Sequence, residues 1–455
     1  MKILSLLILL ASVLFSNQSL TLNEAISILK TDNLEIKGAS LEVDAAKENV
    51  KTASGMHWGK LDFIQDIARS DDAGNVFGFK LSSREATFGD FGAREFMNAT
   101  GMNGGIPPES AYTKPPQDLN YPDSRNYYQS KLKFEVPVFT GFKITSYENI
   151  MNAMTKMKGL EKEKLINEKI FELRKSFYNM ALLQSSQKNL NVILSNIDTL
   201  ENITKNMIDV GYAKKVDLLE VQAKKGNVQR LVSQMQSNQK LLYHYISFLL
   251  NQKVTNIQAS LADVDMPNYS NEDILKSNID IKRVNNGLEI RKNMIEANEA
   301  SYYPMVGAFV EVSTADDSFL SDANDHKSYT IGARITWNIF NGGIDEANIE
   351  KSRINFMKTQ TDLALAKSGI NLQVEKIKTE IKTSDADIVS LKKELNLTNE
   401  IYKNYEGRYK EKLSSMSDVI IKQSQQIEKI LQLQLARNKR NEQIFALEKL
   451  ANGEK

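Results

Sequence analysis

The stretch KLKFEVPVFTG, residues 131–141, returns in altered form as YTIGARITWNIFNG, residues 329–342. In the first copy Leu132, Phe134, Val136 and Val138 alternate with Lys131, Lys133 and Glu135. In the second, Tyr329, Ile331, Ala333, Ile335, Trp337 and Ile339 alternate with Ser328, Thr330, Gly332, Arg334, Thr336 and Asn338. A period of two puts the apolar set on one face of a strand and the polar set on the other. Each copy then passes through a Phe-x-Gly corner (Phe139, Thr140, Gly141; Phe340, Asn341, Gly342) into a long polar stretch of helical composition. The unit is a strand-to-helix junction, used twice. Alternation alone suits either a half-buried soluble sheet or a membrane barrel whose outward side chains meet lipid.

Met1 and Lys2 precede a mostly apolar run, Ile3 to Phe15, closed by Ser16, Asn17, Gln18 and Ser19, which predicts a secretory signal peptide over residues 1–19. The run is shorter than the roughly 17 residues a spanning helix needs, and no other apolar run comes close, so no helical membrane anchor is expected in the mature chain. With Lys2 removed, the 58 basic residues become 57 against 57 acidic ones, and nothing favours nucleic acid. There is no cysteine, hence no disulfide, no thiolate metal site and no N-terminal cysteine for a lipid anchor.

The eight prolines fall at 107, 108, 115, 116, 122, 137, 267 and 304, leaving residues 138–266 and 305–455 free of the strongest helix breaker. Both regions are predicted to be mostly helix, apart from the strands at the start of the second. Apolar residues recur there in three-and-four steps, as at Ile193, Ile197, Leu200 and Met207, or Ile420, Ile427, Ile430 and Leu433, which predicts helix packing in coiled-coil fashion. Thr204 and Gln423 interrupt the stripe, which predicts helices with neighbours on two sides around a wet interior. An unbroken helix from about Phe142 to Ile208 would have about 67 residues and run roughly 100 Å, more than an ordinary globular core uses.

The two halves align at constant offsets. Phe139 and Phe340, Gly141 and Gly342, and Asp217 and Asp418 are each 201 residues apart, whereas Asn33-Leu-Glu-Ile matches Asn278-Ile-Asp-Ile, and Trp58 matches Tyr303, at 245. The difference, 245 less 201, is a 44-residue insertion between Trp58 and Tyr128, where Gly74, Gly78, Gly89, Gly92, Gly101, Gly104, Gly105 and five of the prolines cluster. Its aromatic residues Phe77, Phe79, Phe88, Phe91 and Phe96 either cover a barrel mouth or pack within the loop itself, the simpler expectation. Each half reads helix, strand, loop, strand, long helix, reversal, helix. Four strands cannot close a membrane barrel, which starts at about eight, so lipid-facing strands would have to be pooled from several chains. Three chains would give twelve.

This order of elements resembles the TolC-like outer-membrane efflux family over essentially the whole mature chain. The likeness rests on the twin junctions (Pro137, Phe139 and Gly141; Phe340, Gly342 and Gly343), the Tyr302-Tyr303-Pro304 entry to the third strand, and two helix reversals around Gly211 and Ser414. The resemblance implies a mainly α fold with a small β part: a homotrimer whose chains share a twelve-stranded transmembrane β-barrel, four strands each, joined to a long coiled-coil helical barrel. It implies the exit duct of a tripartite efflux or type I secretion system, in the outer membrane of a Gram-negative bacterium and spanning the periplasm. The implied partners are outer-membrane lipid, a periplasmic adaptor (membrane fusion) protein and an inner-membrane pump of the RND, ABC or MFS type.

On that plan residues 20–57 are a periplasmic helix and 58–140 the first β-hairpin, with a long extracellular loop from about Ile67 to Asn126. Residues 141–250 are a helical hairpin with its tip near 209–216, and 251–270 an equatorial linker. Residues 271–303 are a second periplasmic helix, 304–340 the second β-hairpin, and 341–455 a helical hairpin with its tip near 411–417.

Val210-Gly211-Tyr212-Ala213 is similar to the family's Val-Gly-Leu-Ala/Ser tip, which adaptor hairpins grip, with Tyr in place of Leu. Lys412-Leu413-Ser414-Ser415 aligns with the same motif but lacks the Gly. A Gly at a helix end is also a common C-cap. By resemblance, Asp217 and Asp418 fall where family members place acids near a closed periplasmic entrance, Asp418 at a lumen-facing carboxylate ring, with Ile421 where some members carry a second acid. Tyr409 matches a gate tyrosine that bonds to the acid of the neighbouring reversal, here Asp217, and Ser414 stands where some members have a gate arginine. Asp217 and Asp418 are equally placed to be N-caps or first-turn acids of the returning helices.

No catalytic residue, cofactor or metal site is expected. His57, His244 and His326 are isolated in sequence, and there is no Gly-x-Ser-x-Gly, Walker or His-Glu-x-x-His pattern. The competing reading is a secreted or periplasmic coiled-coil scaffold or adaptor protein without a membrane barrel. Such a protein would not need two alternating strands that end on the same corner.

Overall fold

The computed structural model describes residues 19–100, 106, 108–260, 264–319 and 325–453. Of the expected signal peptide over residues 1–19, all but Ser19 lies outside them. The first half contains α1 (Leu22–Asp32), α2 (Leu34–Gly55), β1 (Lys60–Ser70), α3 (Ala73–Ser82), α4 (Ala93–Thr100), β2 (Arg125–Phe139), α5 (Lys143–Asp209) and α6 (Lys215–Leu250). The second contains α7 (Asn271–Ser277), α8 (Ile279–Glu299), β3 (Met305–Asp316), β4 (Lys327–Thr336), α9 (Ile344–Lys410) and α10 (Met416–Leu450). The fold is mainly α with a small β part. Helices α5 and α9 each have 67 residues, and both their ends lie at the repeat offset.

The single helix expected over 20–57 is two. Asn33 takes an extended backbone (φ −61°, ψ 127°) that ends α1, and its side-chain Oδ1 accepts the Ile36 N–H at 3.0 Å, satisfying a donor that the first turn of α2 leaves free. The chain forms two compact units: Met1–Ala46, Ala153–Leu288 and Met357–Lys455 make one, and Lys47–Asn152 with Glu289–Phe356 the other.

The first unit is helical, and its core repeats. One cluster joins Leu29 and Ile36 to Leu173, Met180 and Ile246; another joins Ile274 and Ile281 to Val374, Ile381 and Leu447, the same five positions displaced by the repeat. A third cluster draws Leu190, Ile197, Val221, Val228, Tyr402, Val419 and Ile427 from α5, α6, α9 and α10. Thr204 and Gln423 do not face a wet interior, contrary to the reading of the stripe: both are fully buried. Thr204 Oγ1 donates to the Leu200 carbonyl at 2.8 Å and Gln423 Nε2 to the Tyr402 hydroxyl at 3.5 Å, while Gln423 Oε1 is buried without a hydrogen-bond partner.

The second unit holds a sheet of order β1-β2-β3-β4, every pair antiparallel. Lys60 pairs with Glu135 in the first hairpin and Met305 with Thr336 in the second, so the repeat preserves hairpin register. Register slips between Pro137 and Phe139, where proline has no N–H to offer the ladder. The strands outrun the expected loop boundaries of Ile67 and Asn126, because Ile67 still pairs with Tyr128 and Arg69 with Asn126. Between the strands, the described residues include α3, α4 and two single helical turns, Glu109–Tyr112 and Gln117–Asn120. Residues 101–105 and 107 lie outside the described set.

Candidate functional sites on the sheet and at the helix reversals

Antiparallel register places directly opposed residues on one face. Leu61, Phe134, Val310 and Ile331 form one row across all four strands, and Phe63, Leu132, Val312 and Tyr329 the next. All eight side chains are exposed in the single chain. An uncovered apolar patch of this extent marks a surface made for something other than water. The opposite face carries Lys60, Asp62, Lys131, Lys133, Glu135, Glu311 and Arg334, with ion pairs Lys131–Glu311 at 3.4 Å and Lys133–Glu135 at 2.7 Å. The strands have 11, 15, 12 and 10 residues, enough to cross a bilayer as tilted β-strands, which need about 9–11. Among the described residues strand β1 pairs only with β2, and β4 only with β3, so one edge of each is left unpaired. Among the described residues no helix is long and apolar enough to cross a membrane.

The first junction is sealed. Gly141 has φ +63°, and a Cβ there would lie 2.7 Å from the Ala300 carbonyl oxygen, so only glycine fits both the conformation and the space. Phe139 and Phe142 meet the Tyr303 ring edge-on at 6.4 and 6.2 Å between centroids, near the bulge at Pro137. The second junction is open. Gly342 and Gly343 have φ +70° and +83° with nothing close to where a Cβ would point. Phe340 is 84% exposed, and Trp58, the repeat partner of Tyr303, is 80% exposed.

At the first reversal α5 stops at Asp209, Gly211 turns left-handed (φ +78°), and the Tyr212 N–H returns to the Met207 carbonyl at 2.8 Å. Val210 and Tyr212 are exposed and Ala213 half-buried. At the second, Lys412 fills the left-handed position (φ +65°) that Gly211 fills in the first, and the Leu413 N–H returns to the Arg408 carbonyl at 2.7 Å. The Lys412 Nζ sits 3.3 Å from the centroid of the Tyr212 ring, joining the two reversals by a cation–π contact. Leu413 is exposed, and the Ser414 hydroxyl donates to the Tyr405 carbonyl at 3.2 Å.

The two acids sit in the first turns of the returning helices. Asp217 Oδ2 accepts the Lys214 N–H at 2.7 Å; Asp418 Oδ2 accepts the Ser415 hydroxyl at 2.7 Å and its N–H at 3.2 Å. Those bonds from Ser415 hold the Asp418 carboxyl below its ordinary value. Tyr409 is buried, and its hydroxyl lies 3.2 Å from Thr204 Oγ1. Burial pushes its phenol up, against the Thr204 bond and with a further push from the Asp217 charge. Within one chain, then, Tyr409 is bonded to Thr204 and not to Asp217. Sequence reading missed Thr204 as the partner of Tyr409, and Lys412 as the residue that links the tips. The signal for Lys412 was its place, 201 residues after Gly211.

Residues 271–453 match the family model described as outer membrane efflux protein. Among solved structures, the chain is similar to CusC, a protein studied for the conformational changes that accompany folding and transmembrane channel formation, with a TM-score of 0.77 and 13% identity over 96% of this chain and 95% of that one. It is similar to the outer membrane protein VceC from Vibrio cholerae, with a TM-score of 0.73 and 12% identity over 95% of this chain and 96% of that one. The Campylobacter jejuni CmeC outer membrane channel gives 0.74 and 13% identity over 95% and 85%. At such identities the likeness is one of fold. No curated protein matches the chain in sequence.

Proposed function

We propose, for a chain that carries an outer membrane efflux protein domain over residues 271–453, that it is one third of an outer-membrane exit duct. Three chains pool their strands into a twelve-stranded barrel, and their long helices form the periplasmic tube that an adaptor and an inner-membrane pump engage. The observation that carries this reading is the sheet, with an uncovered apolar face and two open edges. Unpaired backbone groups in hydrocarbon cost several kcal/mol each, so lipid admits these edges only if another chain pairs them.

The internal repeat indicates how. Moving the β2–β3 pairing forward by 201 residues on one strand and back by 245 on the other turns it into a pairing of β4 with β1 of the next chain. Lys133 opposite Glu311 then becomes Arg334 opposite Asp66, again opposite charges on the polar face, and Phe134 opposite Val310 becomes Ile335 opposite Gln65. The sealed junction of Phe139 and Gly141 on Tyr303 becomes Phe340 and Gly342 on the neighbour's Trp58, which accounts for the exposure of both aromatics in one chain.

In this assembly Val210, Gly211, Tyr212, Ala213, Leu413, Ser414 and Ser415 face the adaptor, and Asp217, Tyr409 and Asp418 surround the periplasmic entrance. Exposed Val210, Tyr212 and Leu413 support the first role. A tripartite efflux system and a type I secretion system use such a duct alike, and the partners that co-purify with it distinguish them. The mass in detergent tests the assembly: three times the mature chain is expected, and a well-folded monomer inserted in bilayers would overturn it.

A further inference from the structure

The described residues of the 44-residue insertion are folded, and they lie on one side of the sheet. Helix α3, capped by Asp72 on the Asn75 N–H at 3.0 Å, packs against β2 and β3. The Phe79 ring stacks on the Tyr127 ring, centroids 4.1 Å apart and planes within 11°. Arg125 at the start of β2 forms an ion pair with Glu85, donates to the Ser83 hydroxyl at 3.2 Å and lies 3.7 Å from the Asp317 carboxylate. This one guanidinium clamps the end of α3 to two strands. The insertion also has its own interior, with Phe77 edge-on to Phe91 at 4.9 Å and Lys80 paired to Asp90. Its aromatics therefore pack within the loop and also onto the sheet.

The side it occupies is decided by strand parity. Arg125 and Tyr127 alternate in step with Lys131, Lys133 and Glu135, on the polar face. On β3 the residues of that same face nearest the insertion, Ser313 and Ala315, are buried, while Leu61, Phe63, Ile67, Tyr329 and Ile331 on the apolar face stay exposed. The strand ends that carry α3 are those opposite the junctions at Gly141 and Gly342.

We infer that the insertion is a plug at the outer mouth of the channel, folded inward over the lumen-facing side of the sheet and clamped there by Arg125, so that three copies narrow the exit. This rests on the barrel reading, in which the polar face lines the lumen and these strand ends lie outside the cell. A loop that merely decorated the cell surface would have no reason to bury Ser313 and Ala315. The plug sets the size of what leaves; the residues that position it are Arg125, Glu85, Phe79 and Tyr127.

Single-channel conductance in planar bilayers tests this with three forms of the full-length protein: the wild type, a variant with residues 73–120 replaced by a short Gly-Ser turn, and Arg125→Ala. The deletion is expected to raise conductance about twofold or more by widening the narrowest outer section, and Arg125→Ala to give a smaller rise with added current fluctuation. Arg125→Ala keeps the chain intact and decides the matter on its own where the deletion does not assemble. Unchanged conductance and noise in variants that form channels would overturn the plug and leave the barrel standing. A wild type that forms no channels would remove the barrel reading and the plug with it.

Discussion

Asn33 and Asn278, 245 residues apart, make the same two hydrogen bonds in the two halves of the chain. The side-chain amide of Asn33 donates to the Leu249 carbonyl at 2.8 Å and that of Asn278 to the Leu450 carbonyl at 3.0 Å, acceptors that are themselves at the 201-residue offset. Each Oδ1 accepts the backbone N–H three residues on, from Ile36 at 3.0 Å and Ile281 at 3.2 Å. Both side chains are buried, so each ties a helix start to the end of a long hairpin out of reach of water. Asn33→Leu and Asn278→Leu strand the same groups, and each is expected to destabilise by about 1–3 kcal/mol in denaturant unfolding of the detergent-solubilised protein. A large effect at one site and none at the other would show that the two halves are not energetic equivalents.

Tyr409 offers a test of the entrance. Tyr409→Phe and Thr204→Val each remove one hydroxyl of a neutral pair worth about 0.5–1.5 kcal/mol, and if the pair acts only within one chain the two variants behave alike. On the proposed role, Tyr409 also reaches Asp217 of a neighbouring reversal in the closed assembly. Tyr409→Phe combined with Asp217→Ala is then expected to raise bilayer conductance well above that of Thr204→Val. Equal conductance confines Tyr409 to its bond with Thr204.

Asp418 carries a pH dependence whose sign follows from its bonds. Hydrogen bonds from the Ser415 hydroxyl and N–H lower its pKa from the ordinary 3.8, so the carboxylate stays charged into more acidic solution than a free one. Its helix-start stabilisation is therefore complete above 3.8 and lost only as pH falls through the depressed value. If three such carboxylates ring the entrance of the proposed channel, they favour cations. Asp418→Asn is expected to lower cation preference and block by multivalent cations at neutral pH, measured as reversal potential under a salt gradient. Unchanged selectivity would place the carboxylate off the lumen.

Lys412 separates backbone strain from side-chain contact. A non-glycine residue in the left-handed region costs about 1–2 kcal/mol, while an exposed cation–π contact returns about 0.5–1 kcal/mol. Lys412→Gly is expected to be neutral or slightly stabilising, and Lys412→Met, which keeps the strain and loses the cation, to be destabilising by up to about 1 kcal/mol. Unfolding midpoints compare the two. If Lys412→Met costs nothing, the cation over Tyr212 is not holding the tips together.

Much of this architecture is legible in the sequence. Nothing between Phe142 and Gly211 strongly breaks a helix, and the helix expected from about Phe142 to Ile208 stands at Lys143–Asp209. Period-two alternation gave both sheet faces, since side chains of a paired strand have no other choice. Asn33 stands out in the sequence as part of a repeated motif, but the helix break there does not, because a helix-capping asparagine looks like any other polar residue until its amide is seen on the Leu249 carbonyl. Thr204 looks wet in the sequence for a similar reason, because the partner that accompanies its burial is a tyrosine hydroxyl 205 positions away. The helices of the insertion are too short to show a period. The tip and entrance residues were placed by position in a motif, and what they do depends on surfaces that one chain does not contain.

The central claim is that β4 of each chain pairs with β1 of the next in the register set by the repeat, with Arg334 opposite Asp66. Cysteine cross-linking tests it directly, because the native chain has no cysteine to interfere. Directly opposed residues in antiparallel strands have Cα atoms about 4.5–5.5 Å apart, within the range a disulfide spans. The control is Lys133→Cys with Glu311→Cys, the equivalent pair inside one chain, which should form a disulfide without changing the mass on a denaturing gel. Asp66→Cys with Arg334→Cys, oxidised in outer-membrane fractions, should give covalently linked dimers and trimers that reductant returns to monomer. Efficient cross-linking through Gly332→Cys or Thr336→Cys in place of Arg334→Cys would shift the register by two. Monomer alone, from protein in which the control pair closes, would contradict the shared barrel.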